Sequence, residues 1–252
     1  MTNKLIYFVG NWKMFGDFSS YKIINRINKF SVKTKKRLNK KIIFCIPSTL
    51  IHFFNKKINS KYISLGAQNC HQQEGYGAFT GSLSASMLKK AGSKYIILGH
   101  SENRLEGETD TIIKKKIISA LKQKLNIIYC IGETLKEKKS KKTFKVLKKQ
   151  IRKVLEKKFD DSKIILAYEP VWSIGTNKIL NSKDLKNTIN FIKKELNIVF
   201  KNKKNLKILY GGSVNEKNIT LFSKIHEIDG FLIGGASQSS KKFIDIIKNY
   251  YK

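Results

Sequence analysis

A closed β/α barrel of eight parallel strands is the fold class this sequence predicts. Three observations predict it. Eight short, nearly continuous apolar runs recur along 252 residues, the segments between them show helical periodicity, and no nucleotide-binding glycine fingerprint follows the first run. Continuous apolar runs of four or five residues mark strands buried on both faces. Alternation of such strands with helices implies parallel pairing, and eight units in about 250 residues match a closed barrel. An open doubly wound sheet is the alternative. Against it, neither G-x-G-x-x-G after the first run nor G-x-x-x-x-G-K-[ST] anywhere occurs.

In chain order the runs are Leu5–Val9, Ile42–Ile46, Tyr62–Leu65, Tyr95–Leu98, Ile127–Ile131, Ile164–Tyr168, Leu206–Tyr210 and Gly230–Ile233. Between the fourth and fifth, Ile113, Ile117, Ala120 and Leu121 form one helical stripe, with Thr109 placed to cap it. Phe144, Leu147, Ile151 and Val154 form a second stripe, and the lysine-rich stretch Lys136–Lys158 reads as the solvent face of one long helix. Leu185, Ile189, Ile192, Leu196 and Val199 form a third, capped by Asn181. No linker interrupts the pattern, so residues 1–252 read as a single domain.

Composition narrows the class further. Hydrophobic residues make up 41% and aromatics 11%, enough for a core, and two prolines with 16 glycines exclude collagen-like and low-complexity chains. Cys45, Cys70 and Cys130 are odd in number and never spaced C-x-x-C, which disfavours a disulfide scaffold or a zinc ribbon and fits a reducing compartment. The four histidines are scattered, so no metal site is expected. No apolar run approaches the length of a membrane span, and Leu5–Val9 is too short for a signal segment, so a cytoplasmic location is expected.

The net charge of +33 invites a polyanion reading, but only Arg26, Arg37, Arg104 and Arg152 among 51 basic residues are arginines. Arginine is the residue favoured for bidentate reading of bases and phosphates. The excess of Lys, Ile and Asn instead matches A/T-rich codon bias, so nucleic-acid binding is not expected.

In a β/α barrel, chemistry belongs to the loops at the carboxyl ends of the strands. Those junctions hold Asn11-Trp12-Lys13, Gly99-His100-Ser101-Glu102, Glu169-Pro170-Val171-Trp172, Gly211-Gly212-Ser213 and Gly234-Gly235-Ala236-Ser237. Two glycine-rich turns after adjacent late strands fit a phosphate cradle of backbone N–H groups; each alone also fits a tight βα turn. Glu169, emerging from an apolar strand, is a candidate general base, or a helix-start carboxylate on the surface. His100 is a candidate acid or a core histidine, and Lys13 supplies charge for an anion or is one more surface lysine. His100, Ser101 and Glu102 cannot form a hydrolase triad, because adjacent residues cannot line up as nucleophile, base and orienter.

Taken together, Asn11-Trp12-Lys13, Gly66-Ala67-Gln68-Asn69, Gly77-Ala78-Phe79-Thr80-Gly81, Leu98-Gly99-His100-Ser101-Glu102, Cys130-Ile131-Gly132-Glu133, Ala167-Tyr168-Glu169-Pro170-Val171-Trp172, Ile174-Gly175-Thr176, Tyr210-Gly211-Gly212-Ser213 and Gly234-Gly235-Ala236-Ser237 resemble the triosephosphate isomerase family. The resemblance runs the whole chain in order. It implies a cofactor-free homodimer that interconverts dihydroxyacetone phosphate and D-glyceraldehyde 3-phosphate through an enediolate, in glycolysis and gluconeogenesis. By the same resemblance, Glu169 is the base and a neutral His100 polarises the carbonyl. Lys13 and Asn11 bind substrate and stabilise the enediolate oxygen, while Gly175, Ser213, Gly234 and Gly235 bind phosphate. Ser173 to Asn177 form the tip of a lid, and Ile174 with Leu232 dry the base. The loop Gly77–Gly81 enters a second subunit. The chain departs from the family at Ser173 and Asn177, where Ala and Gly are usual. It departs again at Ser82 and Asn103, where a Glu–Arg pair commonly crosses the dimer interface, and Asn103–Gly107 is one residue short. A dimer weaker than is usual for the family is the expectation.

Overall fold

The apolar runs become eight parallel strands joined in one ring. The structure is a computed structural model that describes residues 4–58, 61–176, 178–201 and 206–252. The strands are β1 (Ile6–Asn11), β2 (Lys40–Cys45), β3 (Ile63–Ala67), β4 (Tyr95–Leu98), β5 (Asn126–Ile131), β6 (Ile164–Tyr168), β7 (Lys207–Tyr210) and β8 (Gly230–Ile233), paired in sequence order. The ring closes where Tyr7 to Gly10 of β1 pair with Gly230 to Ile233 of β8.

Burial on both faces explains why the runs look continuously apolar. Along β5, Ile128 and Cys130 point into the barrel with Val9, Ile43, Ile97, Ala167, Leu209 and Leu232. Ile127, Tyr129 and Ile131 of the same strand point outward beneath the helices, as the two-residue period of a strand requires. Pairing also shifts strand ends, as at β1 and β2. β2 begins at Lys40 and Lys41 because they pair with Ile6 and Tyr7. Burial pushes the Lys40 ammonium down to about 8, and it donates to Thr34 Oγ1 at 2.7 Å. β1 runs on through Gly10 to Asn11, since Gly10 and Asn11 pair with Phe44 and Cys45.

The outer layer comprises α1 (Tyr21–Lys33), α2 (Ser48–Lys57), α3 (Ala85–Ala91), α4 (Ser101–Leu105), α5 (Asp110–Lys122), α6 (Leu135–Lys139), α7 (Thr143–Val154), α8 (Ser182–Phe200), α9 (Ile219–Ser223) and α10 (Ser240–Tyr250). Thr109 and Asn181 cap α5 and α8 as expected, accepting from the amides of Ile112 and Asp184.

One helix differs from its expectation. The stretch Lys136–Lys158 is not one long helix but α6 and α7, broken where Lys141 takes φ +55°. Residues 136 to 142 are Lys-Glu-Lys-Lys-Ser-Lys-Lys and offer no apolar side chain to hold a helix against the barrel. Phe144 also leaves the expected stripe; it is half exposed and stacks on Phe191 at 4.5 Å.

Candidate active site

Each reactive side chain stands at the carboxyl end of a strand. Asn11 ends β1, buried, and its Oδ1 accepts from the Lys13 amide at 3.0 Å and from Gln68 Nε2 at 3.2 Å. Lys13 comes next but one with φ +55°, a left-handed conformation that costs a non-glycine residue energy and points to function. Trp12 between them is fully buried and donates Nε1–H to the Ser237 carbonyl at 3.1 Å, so the β1 loop is pinned to the loop after β8.

His100 precedes α4 and is 4% exposed. The Glu102 amide donates to its Nδ1 at 3.3 Å, which leaves Nε2 to carry the proton of the neutral ring. That Nε2 lies 3.4 Å from Glu169 Oε1. Burial pulls the His100 pKa down, but the charge and hydrogen bond of Glu169, with Glu102, outweigh it, and the net direction is upward. The Glu102 amide on Nδ1 favours the neutral ring, because only an unprotonated Nδ1 can accept it. Arg104 braces the same loop from below, bonding the Gly99 carbonyl and Asp110 at 2.8 Å each.

Glu169 stands directly after β6, is 4% exposed, and its amide donates to the Ile131 carbonyl at 2.8 Å. Its Oε2 is buried and accepts no nitrogen or oxygen hydrogen bond from the described residues. Two glycines make room for it. A Cβ on Gly132 would lie 1.8 Å from the Glu169 carbonyl oxygen, and one on Gly211 would lie 2.5 Å from Glu169 Cγ. Just beyond, Trp172 donates Nε1–H to the buried Glu133 at 2.9 Å, and Lys138 Nζ sits 3.4 Å above the indole. Burial pushes the Glu133 carboxyl up.

A cavity of about 820 Å³ brings all eight sequence-predicted site residues together: Asn11, Lys13, His100, Glu169, Gly175, Ser213, Gly234 and Gly235. Ile174 and Leu232 line it too. Asn177, the far end of the expected lid tip, lies outside the described residues. Among those residues no cluster of His, Cys, Asp and Glu could hold a metal ion.

Sequence reasoning gave no role to Gln68, Glu102, Lys217 or Lys242. Gln68 Nε2 reaches the Lys13 carbonyl at 2.9 Å, and Glu102 meets Lys13 Nζ at 2.5 Å. Lys217 and Lys242 line the cavity. Gln68 and Glu102 sit in strand-end motifs, which was their only signal; the two lysines carried none in so basic a chain.

Comparison with known proteins gives a concordant result. The family profile described as "Triosephosphate isomerase" matches residues 6–250. A protein named triosephosphate isomerase from Alkaliphilus metalliredigens is 40% identical over 94% of this chain and 96% of its own length. One of the same name from Saccharomyces cerevisiae is 39% identical over 96% and 98%. The crystal structure of triosephosphate isomerase from Bartonella henselae superposes with a TM-score of 0.89 at 34% identity, covering 98% of this chain and 99% of that one. The chain belongs to the triosephosphate isomerase family.

Proposed function

We propose a division of labour among these residues in the reaction of the family, the interconversion of dihydroxyacetone phosphate and D-glyceraldehyde 3-phosphate, which this glycolytic isomerase performs without a cofactor. Glu169 takes the proton from one carbon of the substrate and returns it to the neighbouring carbon. His100, through Nε2–H, hydrogen-bonds the two oxygens of the enediolate in turn. Lys13 balances the negative charge that develops there, and Asn11 orients the substrate. Backbone amides at Gly175, Ser213, Gly234 and Gly235 hold the phosphate. Ile174 and Leu232 exclude water, which protects an intermediate that would otherwise lose phosphate.

One observation carries this reading: a buried carboxylate stands 3.4 Å from an imidazole in the cavity that the two glycine-rich turns line. A carboxylate kept from water and placed within reach of the substrate is what a base for a carbon acid needs. A coupled assay of glyceraldehyde 3-phosphate isomerisation tests it. Glu169→Gln keeps the size and cannot accept the proton, so kcat should fall by at least about 10²–10⁴-fold while substrate still binds. A kcat within about tenfold of wild type would remove Glu169 from the role of base.

The same reading extends to one cytoplasmic barrel domain over residues 1–252 and to a homodimer through the loop at Gly77–Gly81. A second cavity, about 490 Å³, supports the dimer: Lys13, Gly81, Ser82 and Asn103 line it, and Met14 at its edge is fully exposed. Ser82 and Asn103 stand where the family commonly has its Glu–Arg pair, and their neutral contacts are about half as strong as charge-assisted ones. Ser82→Glu with Asn103→Arg should lower the dimer dissociation constant at least about fivefold, beyond the sum of the single changes. Sedimentation over a dilution series reads this directly.

A further inference from the structure

We propose that Ser173 sets the phosphate affinity of this site by capping one of the site's own donors, a positioning role that rests on the isomerase reading above. Ser173 is fully buried at the end of the short turn Val171–Ser173. Its hydroxyl joins three stretches of chain. It donates to the Lys178 carbonyl at 2.5 Å and accepts from the Ser213 amide at 3.3 Å. A hydroxyl has one proton and two lone pairs, so both bonds form at once. The space is made by Gly212, where a Cβ would stand 2.9 Å from Ser173 Oγ and 2.2 Å from Tyr210 Oη.

The Ser213 amide has one proton. That proton points at Ser173 Oγ; a phosphate oxygen in the cradle would need it. The two acceptors exclude one another. A charge-assisted bond to phosphate is about twice as strong as a neutral one, so phosphate displaces the serine. Binding then exchanges one hydrogen bond for another instead of adding one, and affinity is lower by the worth of the bond given up. Alanine at this position has no hydroxyl and leaves the Ser213 amide free for the anion.

Inorganic phosphate is the probe. Its dissociation constant is measured calorimetrically on the full chain for wild type, Ser173→Ala and Ser173→Cys, with KM and kcat for glyceraldehyde 3-phosphate measured alongside. Removing the cap in Ser173→Ala should tighten phosphate about 2- to 10-fold, the worth of one neutral hydrogen bond. KM should fall by a similar factor with no rise in kcat. Ser173→Cys, whose sulfur accepts only weakly, should fall between the two. A serine that merely fills space would leave phosphate affinity unchanged or weaken it along with Tm, and either result overturns the cap. A wild-type chain that neither isomerises substrate nor binds phosphate would overturn the isomerase reading as well. A wild type that does both, beside variants of equal affinity, overturns the cap alone.

Discussion

The two ends of the ligand cavity are built from different materials. At the reacting end, Asn11, His100 and Glu169 are each about 5% exposed or less and are held by specific contacts: the Lys13 and Gln68 nitrogens on Asn11, the Glu102 amide on His100, the packing of Gly132 and Gly211 against Glu169. At the phosphate end the groups are backbone amides. Gly235 would meet no atom within 4 Å if given a Cβ, and Gly175 is exposed. A base must be fixed to a fraction of an ångström, whereas a cradle for an anion needs only open N–H groups and space. The same substitution chemistry should therefore fail in different ways at the two ends.

Between the two ends, Gly211→Ala is the larger break. Its new methyl would overlap Glu169 Cγ, with Oε1 at 3.2 Å and Cδ at 3.3 Å, so the carboxylate must move. A displacement near 1 Å costs about 10²-fold, and kcat should fall by about that factor with KM little changed. Steady-state kinetics decides, and a kcat near wild type would show that the reacting end is as tolerant as the phosphate end. Gly235→Val is the counterpart. A Cβ at this position meets nothing within 4 Å, so the loss should fall on the anion that the valine excludes rather than on the fold. KM should rise at least about tenfold, the worth of one displaced charge-assisted hydrogen bond, with Tm unchanged. A fall in kcat without a rise in KM would erase the distinction between the ends.

The contrast also explains which features were legible in the sequence. Strands and strand-end residues were readable because double-sided burial leaves continuous apolar runs, and each run leads at its carboxyl end into a loop at the barrel mouth. Tyr95–Leu98, Ile164–Tyr168 and Gly230–Ile233 match the structure residue for residue. Glycines at the phosphate end were readable because a missing side chain is itself the signal. The supports of the reacting end were not. Gln68 lies 57 residues from Asn11, and Glu102 lies 89 from Lys13; no local pattern records contacts that only ring closure creates. The break between α6 and α7 was lost for the opposite reason. A lysine run looks like a helix's solvent face, and only the lack of an apolar partner in the same seven residues marks it otherwise.

The smallest effect sharpens the comparison at the reacting end itself. Glu102 touches no reacting atom, being half exposed, yet its carboxylate stands 3.6 Å from His100 Nδ1 and 2.5 Å from Lys13 Nζ. It is one of the charges that raise the His100 pKa against burial. When His100 takes a second proton, the imidazolium pairs with Glu169 and withholds the base, so kcat/KM must fall as pH drops through the His100 pKa. A raised pKa places that fall at higher pH than an ordinary histidine would. Glu102→Gln removes one source of the upward shift and keeps the backbone amide on Nδ1, so the acid limb should move to lower pH. Lys13, freed of its partner, opposes a charged His100 more strongly and pushes the limb the same way. The plateau at neutral pH should change little, because Glu169 and its packing are untouched. A pH–rate profile of kcat/KM for the two proteins reads the shift, and a limb that stays in place or moves to higher pH would mean that Glu169 alone sets the protonation of the ring.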